Sequence, residues 1–196
     1  MNRQRSLLRA SILSLSLSVA AGVSAEATSS PAKPKAAAAA KPTAEKSASI
    51  AGKYKFGDAK AEKSARQKAV DTVLYSFDES IRMVAQEKLE AKTHVPLWID
   101  IKVKGSKTTI HAEGRNPEVY SLEGPTDGKD PDGNPAELRL AKEGNSYVQT
   151  VTTSEGKRVN TYFPQADGSL KVNCELHSPR FPAPIKYTLT YTKAAK

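Results

Sequence analysis

From Pro96 onward the chain alternates apolar and polar residues with a period of two, the signature of strands that bury one face. Leu97, Ile99, Ile101 and Val103 alternate with Trp98, Asp100, Lys102 and Lys104. Gly105-Ser106 predicts a tight turn into Thr108, Ile110 and Ala112, and 119–123 forms another strand. Residues 124–135, rich in Pro, Asp and Gly, predict a long loop. Leu138 and Leu140 open the next strand, which turns at Glu143-Gly144-Asn145 into 147–153. A two-residue turn at Glu155-Gly156 leads to 158–163, and Asp167-Gly168 marks a further hairpin. Leu170, Val172, Cys174 and Leu176 then alternate cleanly, a proline-rich corner spans 178–184, and Ile185, Tyr187, Leu189 and Tyr191 share one face of a last strand.

Before Pro96 the period changes. Gly52 to Gly57 is a short alternating run bracketed by glycines and reads as a first strand. The stretch 59–92 lacks Gly and Pro, and Val70, Val73, Leu74, Phe77, Ile81, Val84 and Leu89 keep near-helical spacing, which predicts one buried face. Ser76 with Glu79 three residues later has the form of a capping box, so two helices are expected, ending before Pro96. Short turns force antiparallel neighbours. The expected fold is therefore mainly β: an antiparallel barrel of about nine to ten strands, with a helical pair inserted after the first strand. Closure also removes exposed strand edges.

All twelve aromatic residues lie between Tyr54 and Tyr191. The first quarter is thus expected to be something other than core. Residues 1–25 read as a bacterial export signal, with Arg3, Arg5 and Arg9, a short Leu/Ser/Ala-rich run, and Val23-Ser24-Ala25 at the cleavage point. This implies a secreted or periplasmic location. Residues 26–50, rich in Ala, Lys and Pro, read as a disordered linker, giving at most weak attraction to an anionic envelope surface. The formal charge of +9 shrinks to 23 Lys+Arg against 19 Asp+Glu over the domain at 51–196. Such a mild charge demands no nucleic-acid partner. A single cysteine, Cys174, excludes an intrachain disulfide and a cysteine zinc cage, and no apolar run reaches the roughly 20 residues of a membrane helix.

The order of elements, with Gly52-x-Tyr54-x-Phe56 at the start and Tyr147-Val148-Gln149 before the Gly156 and Gly168 hairpins, resembles the intracellular fatty-acid-binding proteins and, more loosely, the lipocalins and other calycins. The resemblance implies a barrel with a helical lid around a lipophilic ligand. In that family an Arg-x-Tyr pair on the last strand often holds a carboxylate. Here Tyr191 matches the tyrosine, but Leu189 stands in the arginine's place, which implies a neutral lipophile or no ligand. The chain is also similar to secreted bacterial proteins of unknown role that end in a Ser-Pro-Arg-x-Pro-x-Pro corner, here 178–184.

Candidate ligand contacts follow from the hairpin at 147–163. One face carries Tyr147, Gln149, Val151, Arg158, Asn160 and Tyr162; the other carries Val148, Thr150, Thr152, Val159, Thr161 and Phe163. Turned inward, the first face gathers a polar cluster that would orient a ligand. The cost of burying amides and a guanidinium favours the opposite orientation, with these groups in solvent. Tyr187 and Tyr191 read as core aromatics whose hydroxyls also suit ligand contact. The candidate ligand-binding residues are Gln149, Asn160, Tyr162, Tyr187, Leu189 and Tyr191. His94, His111 and His177 lack metal-ligand spacing, and Asp127, Asp130, Asp132 and Asn134 read as turn residues because prolines interrupt them. No nucleophile-and-base arrangement or cofactor motif is present. The expected function is an exported, monomeric barrel that binds a small lipophilic ligand without catalysis, metal or cofactor. The alternative is a filled barrel serving as a structural or protein-interaction module of the cell envelope.

Overall fold

A computed structural model describes residues 49–130 and 133–195. The export signal expected over 1–25 and the linker up to residue 48 lie outside the described residues. Ten antiparallel strands form a single sheet: β1 (Gly52–Phe56), β2 (Trp98–Lys104), β3 (Lys107–Ala112), β4 (Glu118–Ser121), β5 (Thr126–Lys129), β6 (Pro135–Glu143), β7 (Ser146–Thr153), β8 (Gly156–Pro164), β9 (Leu170–His177) and β10 (Ile185–Lys193). Their spatial order is β4-β3-β2-β1-β10-β9-β8-β7-β6-β5. The first strand pairs with both β2 and β10, so the sheet curls into a nearly closed barrel. The seam lies between β4 and β5, which share no ladder; Thr126 Oγ1 donates to the Val119 carbonyl across it at 3.2 Å.

The inward residues form one core, including Ile50, Tyr54, Ile101, Ile110, Tyr120, Leu138, Val151, Tyr162, Val172 and Tyr191. Ile50, expected as the end of the linker, is instead fully buried in this core, and its carbonyl accepts from the Tyr54 hydroxyl at 3.0 Å. A second, smaller cluster joins Val70, Val73 and Leu74 of α1 (Lys60–Leu74) and Leu89 of α2 (Glu79–Lys92) to Ile185 of β10. No helix among the described residues is long and apolar enough to cross a membrane.

The structure departs from the pattern in four places. The expected loop at 124–135 contains β5, whose Thr-Asp-Gly-Lys has no apolar alternation; Gly128 instead presses its bare Cα toward Leu138. The capping box does not form. The Ser76 hydroxyl donates back to the Val73 carbonyl at 2.6 Å, and Asp78 precedes α2 without a side-chain cap. The β7–β8 turn is Ser154-Glu155 rather than Glu155-Gly156, because Thr153 pairs with Gly156. That shift keeps the parity, so the same side chains share each face. Finally, Ile81 and Val84, placed on the buried helical face by their spacing, are 50% and 59% exposed. The first turns of α2 stand away from the barrel and overhang its mouth.

Candidate functional site

The structure turns the polar face of the β7–β8 hairpin inward, contrary to the cost argument for solvent. Gln149 is 2% exposed and Tyr162 is 3% exposed. The reason is saturation. The Gln149 amide donates to the Glu118 carboxylate at 2.8 Å and to the Tyr120 hydroxyl; its oxygen accepts from Asn160 Nδ2 at 2.8 Å and from the Tyr162 hydroxyl at 2.7 Å. All of its hydrogen-bonding capacity is used, which removes the penalty that an unpartnered amide would carry. Tyr120 donates to Glu118 in turn, and Arg158 Nη2 donates to the other Glu118 oxygen at 3.0 Å.

This network has an electrostatic signature. Burial raises the pKa of Tyr120 and of Tyr162; the neighbouring Glu118 charge adds to both shifts, and Arg158 opposes the shift of Tyr162. Burial opposes the charge on Arg158, but Glu118, helped by Tyr120 and Tyr162, outweighs it and leaves the pKa above the ordinary value. Cys174 lies beside the network, its thiol pushed up to about 12 by burial, which makes it inert as a nucleophile.

All six candidate ligand residues, Gln149, Asn160, Tyr162, Tyr187, Leu189 and Tyr191, line one inner cavity. It measures only about 50 Å³. The Tyr191 hydroxyl donates to the Pro96 carbonyl at 3.2 Å and the Tyr187 hydroxyl to the Thr93 carbonyl at 3.4 Å. The two tyrosines thereby hold the segment between α2 and β2 onto the barrel. Their hydroxyls already have partners, and the space beside them suits water rather than a lipid chain.

A larger space lies at the mouth. A groove of about 410 Å³ runs between α2 and the ends of β7, β8 and β9. Its apolar walls include Phe77, Ile81, Val84, Leu89, Leu176 and Phe181. Lys88, Lys157 and Arg180 stand around it, and Lys92 bridges to Glu155 at 3.2 Å, joining α2 to the β7–β8 turn. Arg115, from the turn between β3 and β4, and Arg158 line both the groove and the inner cavity, so they mark the boundary between the two. Sequence reasoning missed this groove. The signals the sequence carries are the apolar Ile81 and Val84 on α2 and Arg158 on the same hairpin face as Gln149.

The three histidines lie at or near the surface. His111 stacks edge-on against Trp98 at 4.8 Å, His177 Nε2 lies 3.0 Å from Glu175, and His94 lies 4.0 Å from Glu113. Asp130 accepts from the Asn134 backbone at 2.8 Å and holds its loop. Among the described residues no group of three or more His, Cys, Asp or Glu is arranged to hold a metal ion.

No family model matches the sequence, and no curated protein matches it. Solved structures similar to it include a Schistosoma mansoni fatty acid binding protein in complex with arachidonic acid, with TM-score 0.49, 14% identity, and coverage of 74% of this chain and 96% of that one. Human cRBP IV matches with TM-score 0.46 and 16% identity over 75% of this chain and 99% of that chain. A zebrafish ileal bile acid-binding protein complexed with cholic acid matches with TM-score 0.47 and 11% identity over 74% and 98%.

Proposed function

We propose that this chain is a non-enzymatic binding protein that holds a small lipophilic molecule in the groove between α2 and the barrel mouth. The observation that carries this reading is the groove itself. Its 410 Å³ falls within the roughly 300–1,000 Å³ of small-molecule sites, whereas the inner cavity offers only about 50 Å³. Ile81 and Val84 leave apolar surface over the groove that a ligand would remove from water. Each 100 Å² of ligand apolar surface covered there contributes about 2.5 kcal/mol before the costs of ordering. The reading of residues 1–25 as an export signal supports a location in the bacterial periplasm or outside the cell.

Native mass spectrometry of the purified full chain, before and after organic extraction, tests the reading, together with uptake of an environment-sensitive lipophilic dye. One extractable mass per chain, or saturable dye uptake lost in Val84→Arg, is the expected result. Val84 is exposed, so that substitution places a charge in the groove without disturbing the core. Absence of both adduct and dye uptake would overturn it. The nearly filled interior would then favour the second reading, a structural or protein-interaction module of the envelope.

A further inference from the structure

We propose that Arg115 and Arg158 form a buried monoanion site at the boundary between the inner cavity and the groove, taking a group of carboxylate size. Among the described residues lining the inner cavity, two guanidiniums face one carboxylate, Glu118. That carboxylate already accepts from Arg158, Gln149 and Tyr120. Arg158 Nε is buried without an acceptor. Arg115 is only partly exposed, and its guanidinium donates to no acceptor among the described residues.

Nearby carboxylates are committed elsewhere. Glu155 holds Lys92, Glu113 accepts from the Leu97 backbone at 2.7 Å, and Asp130 accepts from Asn134. A guanidinium withdrawn from water without a counter-charge is costly. Burial first, and then the like charge of Arg158, hold the Arg115 pKa below its ordinary value. A planar donor fork with free N–H groups is the chemistry that recognises a carboxylate or similar oxyanion. The space of about 50 Å³ holds only a few heavy atoms. The last strand offers Leu189 to this cavity, not a charge, so a reading confined to that strand leads to a neutral ligand; the positive charge comes instead from the β3–β4 turn and from β8.

The anion has two sources: a free small oxyanion, or the head of the lipophile placed in the groove by the proposal above, on which this second source rests. Two measurements on the full chain separate them. The first follows thermal unfolding in sodium formate against sodium gluconate at matched ionic strength. The second compares displacement of the lipophilic dye by a twelve-carbon carboxylate and by its matching alcohol. A saturable rise in Tm with formate, absent in Arg115→Gln and retained in Arg115→Lys, supports the site whatever its source. At least tenfold tighter binding of the carboxylate, falling to parity in Arg115→Gln, identifies the ligand head as the anion. A formate effect with equal binding of acid and alcohol identifies a free anion. A formate effect with no lipophile bound removes the groove reading and leaves the anion site standing. No formate effect together with equal binding of acid and alcohol overturns the anion site and leaves the groove reading intact. Circular dichroism of both variants confirms that they fold.

Discussion

Glu118→Gln isolates the charge in the interior network, because it keeps the shape of the side chain and one acceptor oxygen for Gln149 and Tyr120. In the native chain the Glu118 and Arg158 side chains are 10% and 14% exposed, and Arg158 Nη2 lies 3.0 Å from Glu118 Oε1. A pair so withdrawn from water behaves as a buried one, and removing one partner leaves the other charge uncompensated. Such a loss costs about 3–5 kcal/mol, against about 0–1 kcal/mol for an exposed pair. At roughly 2–4 °C per kcal/mol for a chain of this size, Tm falls by about 6–20 °C. Arg158→Met is expected to cost less than Glu118→Gln, because it leaves a buried carboxylate that still accepts from Gln149 and Tyr120. The double variant Glu118→Gln/Arg158→Met restores part of the loss, since no unpaired charge from this pair remains. The assay is chemical denaturation of the four proteins as a double-mutant cycle. Single losses below about 1 kcal/mol that simply add would refute the reasoning and show that water reaches the pair.

Two further outcomes follow from the same interior. Tyr54, Tyr120, Tyr162, Tyr187 and Tyr191 all have pKa values raised by burial. Above about pH 10 the unfolded chain loses these protons while the folded chain keeps them, so the tyrosines' contribution to stability is constant below that point and falls as pH rises. Tyrosinate absorbance from these five should therefore appear only together with loss of the sheet signal in circular dichroism; its appearance in a fully folded chain would contradict the burial. Gly156→Ala tests the mouth. Gly156 has φ +150°, and an added Cβ would lie 2.1 Å from the His177 carbonyl oxygen on β9. The backbone strain alone costs about 1–3 kcal/mol, and unchanged stability in a denaturant titration would show that β8 and β9 part freely there.

The strands were legible wherever one face meets the core and the other meets water, as in β2, β9 and β10. Here period-two patterning and burial are the same fact. It failed at β5, whose four residues are held by pairing with β6 and by the fit of Gly128 against Leu138 rather than by apolar side chains of their own. The orientation of the β7–β8 hairpin was illegible for a different reason. The cost of burying Gln149 depends on its partners, and two of them, Tyr120 and Glu118, lie 29 and 31 residues away on β4. No local pattern reports that juxtaposition. Helical spacing likewise marks Ile81 and Val84 as one apolar face of α2, but spacing carries no information about whether a neighbour covers that face.

The same failures explain why the candidate site moved. Filling the barrel with Tyr120, Gln149, Tyr162 and the Glu118–Arg158 pair leaves too little interior for a lipid chain, and exposed apolar surface is left at the mouth, where α2 overhangs without covering. Arg158 belongs to both regions: its guanidinium holds Glu118, and the residue also lines the groove. Glu118 is also what ties β4 to β7 and β8 across the interior, at the seam where β4 and β5 share no ladder. On the proposed reading, an anion arriving at the mouth enters the field of the residue that closes the seam. Binding at the mouth and closure of the barrel are then two contributions to a single local charge balance. Among the described residues lining the inner cavity, Arg115 is the group that sets a second guanidinium against the one carboxylate.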